Sequence, residues 1–289
     1  MKKIIYILLV SVIFLTLTGC FKMDNLEDIS IYTTSYPIEY ITEQLYGEHS
    51  DVKSIYPDGT NIKKYELNDL QIKEYSKSNM YIFNGLSTNE EIYLTKFFKN
   101  NKNIMIIDAS GSVEYSYSEE ELWLDPSNFL MLSRNIKNGL VEYIDSKVMK
   151  DEINSKYEEL KIKISNVDAN IKTINENANH KTIVTDNDTL KFLEKYGFTV
   201  ISLQEKDGVV SEKNLVDAKK LIQNKTIKYV FTLNNTEVNQ EVANLVSETK
   251  VELLEMNDLS NLTDKQRSEK EDYFSLLNEN IEMLKKELY

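Results

Sequence analysis

The sequence predicts an α/β protein with two lobes, each a parallel sheet flanked by helices, joined by one long spine helix. Short apolar runs such as Met80–Phe83 alternate with helical segments of about ten residues in both halves of the chain, a pattern typical of parallel sheets. Between the halves, apolar residues recur at spacings of four and three from Ile153 to Ala178. That spacing places them on one face of a helix.

The chain begins like an exported protein. Lys2 and Lys3 precede the apolar run Ile4–Leu17, a basic start and an apolar stretch typical of a secretory signal. A transmembrane helix needs about 20 apolar residues, so this run is too short to span a bilayer comfortably. The run ends in Leu17-Thr18-Gly19-Cys20, which looks like the lipobox of bacterial lipoproteins.

Cys20 is the only cysteine of the chain, and the lipobox gives it a role. We expect residues 1–19 to be removed as a signal peptide, Cys20 to carry the lipids, and residues 20–28 to form a short tether. The protein would then be extracytoplasmic and anchored to the cell membrane. The alternative is a cleaved signal followed by an incidental cysteine.

The first lobe is predicted from residues 29–147. Its apolar runs end at polar or turn residues, as buried parallel strands do, and Pro57-Asp58-Gly59 is a turn signal. The predicted strands are Ile29–Thr34, Asp51–Tyr56, Met80–Phe83 and Ile104–Ile107, and the predicted helices are Ile38–Tyr46, Leu67–Lys77, Glu90–Lys99 and Pro126–Ile144.

The spine helix is predicted within residues 148–180. The stretch from Ile153 to Ala178 would be about 39 Å long as a helix. A stripe of this kind could also be the seam of a coiled-coil dimer. We favour a helix that packs within one chain, and hence a monomer, because α/β patterns flank it on both sides.

The second lobe is predicted from residues 181–289, where the alternation of strands and helices resumes. Gly197 is expected to end its first helix. The predicted strands are Thr182–Thr185, Phe198–Leu203, Tyr229–Thr232 and Val251–Leu254, and the predicted helices are Leu190–Tyr196, Leu215–Gln223, Val238–Thr249 and Tyr273–Leu288.

Composition excludes several classes of function. The formal net charge of −13 argues against nucleic acid and against adsorption to anionic lipid, because both need basic patches. The sequence shows no nucleophile with a nearby histidine, no phosphate-binding glycine loop and no H-E-x-x-H motif, so we expect no enzyme. The run Glu119-Glu120-Glu121 is typical of a solvated surface, and only its last member is a candidate site residue.

Several short motifs, in order along the chain, resemble one protein family. They are Thr33-Thr34-Ser35-Tyr36-Pro37, Pro57-Asp58-Gly59-Thr60, Tyr81-Ile82-Phe83-Asn84-Gly85-Leu86, Trp123-Leu124-Asp125-Pro126, Val184-Thr185, and Glu271-Asp272-Tyr273 with Asn280. Together they resemble the metal-receptor class of ABC-transporter solute-binding lipoproteins, the receptors for zinc and manganese. The resemblance covers essentially the whole mature chain. It implies two lobes joined by a long helix, a ligand between the lobes, and delivery of that ligand to an ABC permease.

The predicted topology agrees with a cleft between the lobes. Ligands of open parallel sheets bind beyond the carboxyl ends of the strands. Pro37, Gly59, Thr185 and Asn257 all follow predicted strand ends, so their loops are expected to converge.

The resemblance fails at the metal ligands, which in the family are three histidines and one carboxylate. This chain has only His49 and His180, both expected to be exposed and neither at a ligand position. The aligned motifs place other residues in the cleft: Lys63, Glu121, Asn187, Asn257 and Asp258, with Asp186 and Asp188 as further candidates.

Lys63 is the most consequential of these exchanges. A protonated lysine offers only hydrogen-bond donors, so it cannot ligate a metal. We expect its ammonium to face Glu121 in the space that a metal ion occupies in the family.

Three functions remain open. The cleft could hold a different polar solute, gripped by residues such as Lys63 and Glu121. It could still bind a divalent metal through carboxylates; zinc or manganese is the family expectation, although oxygen-only ligands favour harder ions such as manganese, calcium or magnesium. Alternatively, the lobes could serve as a surface interaction or adhesion module that binds no small ligand.

Overall fold

The computed structural model describes residues 26–205, 208–234 and 236–289. The expected signal segment, Cys20 and the tether up to residue 25 lie outside the described residues. Among those described, no helix combines the length and apolar character that crossing a membrane requires.

The first lobe contains a four-stranded parallel sheet in the order β2-β1-β3-β4. Helices connect its strands, so every strand runs in the same direction and all carboxyl ends lie at one edge. The strands are β1 (Ile29–Thr33), β2 (Ser50–Ser54), β3 (Met80–Phe83) and β4 (Met105–Asp108); the helices are α1 (Tyr36–Tyr46), α2 (Asp69–Tyr75), α3 (Thr88–Asn100), the single turn α4 (Glu121–Leu124) and α5 (Pro126–Tyr143).

The spine helix α6 extends from Lys147 to Asn177. Its 31 residues correspond to about 46 Å, and the Ser146 side chain accepts a hydrogen bond from the Met149 N–H at its amino end. The predicted stripe is buried along one face, as at Ile153, Leu160 and Ile171. The helix packs against α1, α5 and the last helix of the same chain, which is the intramolecular arrangement that the sequence favoured.

The second lobe repeats the architecture, with sheet order β6-β5-β7-β8 and all strands parallel. Its strands are β5 (Thr182–Thr185), β6 (Thr199–Ser202), β7 (Tyr229–Leu233) and β8 (Glu252–Met256); its helices are α7 (Glu212–Gln223), α8 (Gln240–Thr249), α9 (Asp264–Glu269) and α10 (Tyr273–Leu288).

The segment after β5 differs from the prediction. Asp188–Tyr196 is a 3-10 helix rather than an α-helix, a tighter form that proteins use in short connections. The Asn187 side chain caps its start by accepting a bond from the Thr189 N–H. Gly197 ends it in the left-handed conformation (φ +90°), as the sequence predicts.

The core has two parts. The main core runs from the first lobe along α6 to α10 and one side of the second sheet. A smaller cluster lies separately beneath α7 and α8; it consists of Val184, Leu203, Ala218, Ile222, Ile227, Val230, Val242, Leu245 and Val251.

Candidate functional site

The loops after the strands of the two sheets contact one another directly. The Tyr36 N–H, which opens α1, donates to the Ser260 carbonyl at 2.9 Å. The Gly59 N–H donates to the Leu262 carbonyl at 2.7 Å, and Gly59 has φ +74°, a conformation that glycine adopts without strain. The sheet edges that the sequence placed at a common cleft therefore meet.

We call residues 258–262, which follow β8, the bridging segment. A buried tryptophan and a tyrosine also hold this segment in place. The fully buried Trp123 donates its indole N–H to the Asp258 carbonyl at 2.7 Å. The Tyr273 hydroxyl, on α10, donates to the Trp123 carbonyl. Both partners of Trp123 belong to the second lobe, so the tryptophan of the W-L-D-P motif is a contact between the lobes.

Lys63 lies beside the bridging segment, and its ion-pair partner is Glu120. The Lys63 Nζ is 2.5 Å from Glu120 Oε1. The Lys63 side chain is 50% exposed, whereas that of Glu120 is only 5% exposed. The acidic residue is therefore part of the wall, and the lysine reaches it from the solvent side.

The expected pairing of Lys63 with Glu121 is wrong by one residue. The Glu121 carboxylate turns back to its own preceding loop, where it accepts hydrogen bonds from the backbone N–H groups of Tyr117 (2.7 Å), Ser118 (2.9 Å) and Ser116 (3.2 Å). Those N–H groups hold it at the start of α4, and the adjacent Glu120 is the residue that faces the lysine.

Two further carboxylates act on the same ammonium. Partial burial works to lower the pKa of Lys63, but the negative charges of Glu120, Glu119 and Asp258 outweigh it, so the pKa lies above its ordinary value. Lys63 is thus positively charged at neutral pH. We call Lys63, Glu119, Glu120 and Asp258 the Lys63 cluster.

The cluster is fixed by a second layer of contacts. Asn84, directly after β3, donates its side-chain amide to Glu119 Oε1 at 2.6 Å and its backbone N–H to Glu90 Oε2 at 2.8 Å. Burial raises the pKa of Glu119, although Lys63 opposes the rise. Burial raises the pKa of Glu90 to about 8. The N-G-L motif therefore positions one acidic wall of the site.

One carboxylate oxygen of the Lys63 cluster could accept a further hydrogen bond. Glu120 Oε2 is buried and has no hydrogen-bond partner among the described residues. A buried carboxylate oxygen without a partner is costly, because it has lost its hydration without replacement. It is therefore the atom of the site best placed to accept a bond from a ligand.

Asp258 is the residue of the second lobe that joins the cluster. Its carboxylate accepts hydrogen bonds from the Ser260 N–H (3.1 Å) and the Ser260 hydroxyl (2.9 Å). Its own backbone N–H donates to the Asn234 side-chain oxygen at 2.6 Å. The bridging segment thus presents this carboxylate to Lys63 in a fixed orientation.

The other predicted cleft residues serve local structure. Asn187 caps the 3-10 helix, and the Asp188 carboxylate lies 3.1 Å from Lys191 Nζ, one turn further on. The Asn257 side chain donates to Glu279 Oε2 at 3.0 Å and accepts from the Gln266 amide at 3.1 Å, towards α10 and α9.

Asp186 lies directly after β5 and is buried. Its Oδ2 accepts a 2.6 Å hydrogen bond from the Thr232 hydroxyl. Burial raises its pKa to about 6, although the Thr232 bond works against the rise. It is a carboxylate at the carboxyl edge of the second sheet, satisfied in part by its own lobe.

The histidines lie at the opposite edge of the sheets, where strands begin. His49 precedes β2, and its Nε2 is 3.1 Å from Glu152 Oε2 on α6. His180 precedes β5, and its Nε2 is 3.2 Å from Glu287 Oε1 on α10. Both are half-buried and paired rather than exposed as expected. In the part of the chain that the structure describes, no group of three or more histidine, cysteine, aspartate or glutamate residues is arranged to hold a metal ion.

Sequence reasoning missed Glu119, Glu120, Glu90 and Asn84. It treated the acidic run as solvated surface, but Glu120 and Glu121 are buried and Glu119 is half-buried. The signal that could have found them is the position of the run, directly before the buried Trp123.

Three comparisons bear on this arrangement. Zinc-binding lipoprotein AdcA of Streptococcus pneumoniae is 24% identical over 312 aligned residues; the match covers 99% of this chain but 61% of that relative. The metal-dependent lipoprotein YcdH of Bacillus subtilis has a similar structure (TM-score 0.72, 19% identity, 90% of this chain and 99% of that one). So does the laminin-binding protein Lmb of Streptococcus agalactiae, described as bifunctional with adhesin and metal transporting activity (TM-score 0.71, 17% identity, 90% and 100%).

The two structural matches share the two-lobe fold. The family assignment comes from the sequence: residues 31–287 match the model of zinc-uptake complex component A, periplasmic. The family consists of components of an uptake complex and not of enzymes, in agreement with the expectation from the motifs. The match spans nearly the whole described body, and the chain therefore belongs to the ZnuA family of zinc-uptake components.

Proposed function

We propose that the chain is the substrate-binding component of an ABC importer, held at the outer face of the membrane by lipids on Cys20 after removal of residues 1–19. Its family supports the transport role, because the family is defined by an uptake complex. The lipobox supports the anchor. A cognate ABC permease is the partner that this role requires.

We further propose that the binding site has been altered, so that a lysine ammonium stands among the carboxylates at the position where the aligned motifs imply a metal ion. The observation that carries this proposal is the ion pair between Lys63 and the buried Glu120. Unit charges about 4 Å apart interact by roughly 4 kcal/mol at an effective dielectric of 20, and a divalent ion would be repelled by about twice that. Solvent screens part of this repulsion because Lys63 is half-exposed.

The cluster suits a polar organic solute with both a donor and an acceptor. Lys63 keeps donor capacity on its solvent side, and Glu120 Oε2 is a buried acceptor. A zwitterion would meet both needs at once. Burial of complementary charges would also fix its orientation, because each charged hydrogen bond left unmade is costly.

A metal cargo is the second candidate, and the exposure of Lys63 favours it. If the half-exposed lysine swings into solvent, Glu119, Glu120 and Asp258 would have to move together to bind a metal, because as they stand no three such residues of the described chain are arranged to hold one. Oxygen ligands of this kind suit manganese or calcium better than zinc. The third candidate, an adhesion module without a small ligand, draws on the description of Lmb.

Ligand screening with matched lysine variants separates these candidates. Lys63→Met removes the ammonium but keeps the carboxylates. Lys64→Met is the control, because the adjacent Lys64 pairs with Glu237, which is 89% exposed, outside the cluster. After dialysis against chelator, each protein is titrated calorimetrically with zinc and with manganese, and screened by thermal shift against polar organic solutes.

We expect no tight metal binding by the native chain or by Lys64→Met, and at least tenfold tighter manganese binding by Lys63→Met. Zinc or manganese binding by the native chain at micromolar affinity or tighter would overturn the altered site. A ligand present at a hundred times its dissociation constant adds about 2.7 kcal/mol of stability, which a thermal shift detects. The absence of any organic or metal hit would favour the adhesion module.

A further inference from the structure

A groove between α2 and α3 concentrates positive charge on an otherwise acidic protein. It has a volume of about 820 Å³, and its lining includes four lysines and one aspartate: Lys73, Lys77, Lys96, Lys99 and Asp69. All four lysine side chains are exposed, and Lys77 forms an ion pair with Glu74 at 2.5 Å. Because the whole chain has a net charge of −13, the charge of this groove is opposite in sign to that of the protein as a whole. We call it the lysine groove.

The position of the groove follows from the topology. Its lysines lie towards the carboxyl ends of α2 and α3, and those helices run antiparallel to the strands that they connect. The groove therefore lies at the edge where strands begin, and the Lys63 cluster lies at the opposite edge. Ser76, Asn100 and Asn101 complete the lining at this end.

The chain reaches its proposed anchor from the same edge. The Ser30 N–H, at the start of β1, donates to the Asn79 side chain at 3.0 Å. Asn79 follows α2, and Asn101 donates its side-chain amide to the Ser76 and Ser78 carbonyls at 3.0 and 3.3 Å. These bonds join the first strand to the two helix ends that form the groove.

The reach of the tether is short. The Leu26 carbonyl accepts a hydrogen bond from the Tyr46 hydroxyl at 2.8 Å, so Leu26 belongs to the folded body. Five residues lie between Cys20 and Leu26, and the six residue-to-residue steps span at most about 22 Å in an extended chain. Lipids on Cys20 would hold this edge of the lobe close to the headgroups.

An exposed aromatic ring lies at the same end of α3 as the lysine groove. Phe98, near the end of α3, is 42% exposed, and the Lys102 ammonium lies 4.4 Å from its ring centroid. Aromatic residues beside lysines are typical of surfaces that lie against a membrane interface.

We propose that the lysine groove is the face by which this protein rests on anionic lipid headgroups while it is not engaged with a permease, which leaves the Lys63 cluster open to the extracytoplasmic solution. The proposal rests on the anchored state proposed above, and it departs from the expectation, based on net charge alone, that the surface avoids anionic lipid. Net charge averages over the molecule, whereas adsorption depends on the face that the tether presents.

The test measures adsorption of the unacylated mature chain, residues 20–289 with C20S, to sedimented vesicles. We expect it to bind vesicles that contain phosphatidylglycerol at low ionic strength, to bind neutral phosphatidylcholine vesicles weakly, and to be released by salt. Each lysine near such a surface contributes roughly fivefold to binding, so K73Q/K96Q/K99Q is expected to lose about a hundredfold. The control K213Q/K220Q/K265Q removes three exposed lysines of the second lobe and is expected to bind like the parent.

Equal binding by the groove variant and the control would overturn the proposal, as would a parent that ignores anionic vesicles at low salt. Groove-dependent capture of soluble polyphosphate without vesicle binding would also overturn it, by assigning the groove to a different polyanion. Circular dichroism melts establish that each variant is folded.

This assay needs neither a cleft ligand nor an acyl chain, so it is independent of the solute tests. Mass spectrometry of the native N-terminus tests the anchor separately: an unmodified Cys20 with intact vesicle binding would remove the tether from the proposed function and leave the groove. For the acylated protein, we expect anionic vesicles to protect the groove lysines from acetylation in solution. Equal labelling in anionic and neutral vesicles would contradict the orientation.

Discussion

The two lobes have the same sheet topology but unequal cores. The first lobe shares the main core with the spine helix and α10, where Phe129 and Tyr273 stack with ring centroids 4.0 Å apart. The outer layer of the second lobe, formed by α7 and α8, depends on a separate cluster of nine buried residues. The difference shows that the contacts behind the Lys63 cluster belong to the large core, whereas α7 and α8 pack on a smaller, separate core.

The largest expected effect comes from unequal truncations in the two cores. Phe129→Ala removes a fully buried ring and should lower the free energy of unfolding by about 3–5 kcal/mol, whereas Leu245→Ala in the small cluster should cost about 2 kcal/mol. Urea melts with hydrogen exchange test the comparison. We expect Phe129→Ala to accelerate exchange throughout, and Leu245→Ala to do so chiefly in α7 and α8. Global acceleration by Leu245→Ala would show that the cores unfold as one.

A smaller effect is expected at the ion pairs between the lobes. Arg267 on α9 donates to both oxygens of Asp58, at 3.0 and 2.8 Å, and to Glu39 Oε2 at 3.2 Å. Arg267→Ala leaves the buried Glu39 carboxylate without this partner and should cost about 1–3 kcal/mol. The chain's other arginine, the exposed Arg134, provides the control Arg134→Ala, for which we expect a change within about 0.5 kcal/mol.

Equal melting of the two arginine variants would mean that the lobes are held by the bridging segment without help from Arg267. Small-angle scattering adds a second readout, because a loss of the ion pairs that loosens the lobes increases the radius of gyration.

A pH dependence of stability is expected from the wall of the Lys63 cluster. Burial raises the pKa of Glu90 to about 8, above its value of about 4.3 in an unfolded chain. The folded state therefore holds the extra proton between these values, so stability is fully present below about pH 4.3 and is lost as the pH rises towards 8. Glu90→Gln should reduce the loss of Tm between pH 5 and pH 8.5. An unchanged pH profile would assign the dependence to other carboxyls such as Glu43 and Glu287, whose pKa values are also raised, to about 7.

Regular periodicity was the part of the fold that could be predicted. The strands Met80–Phe83 and Thr182–Thr185 have the predicted bounds, because the first is a continuous apolar run and the second consists entirely of β-branched residues. The spine helix begins six residues before Ile153, the first stripe residue of the prediction, and the buried Met149, four residues before Ile153, continues the same stripe. The one-turn helix α4 was missed because it is too short for any period to repeat.

The site was predictable only to within a residue. Lys63 and Asp258 were identified from aligned motifs and do lie together, but the partner of Lys63 is Glu120 rather than its neighbour. Glu120 and Glu121 are both buried. They differ because the backbone N–H groups of residues 116–118 bind the Glu121 carboxylate, which leaves Glu120 to pair with Lys63. A local hydrogen-bond choice of this kind leaves no trace in spacing or composition.

The ion pair of Lys63 with Glu120 lies within one lobe, and this has a consequence for ligand exchange. A hinge motion that separates the lobes would carry Asp258 away with the second lobe but would leave this pair joined. The Lys63 ammonium would therefore stay neutralised by Glu120 when the lobes open. The site could admit and release its cargo at a nearly constant electrostatic cost, and the exchange rate would be governed by the hydrogen bonds of the bridging segment.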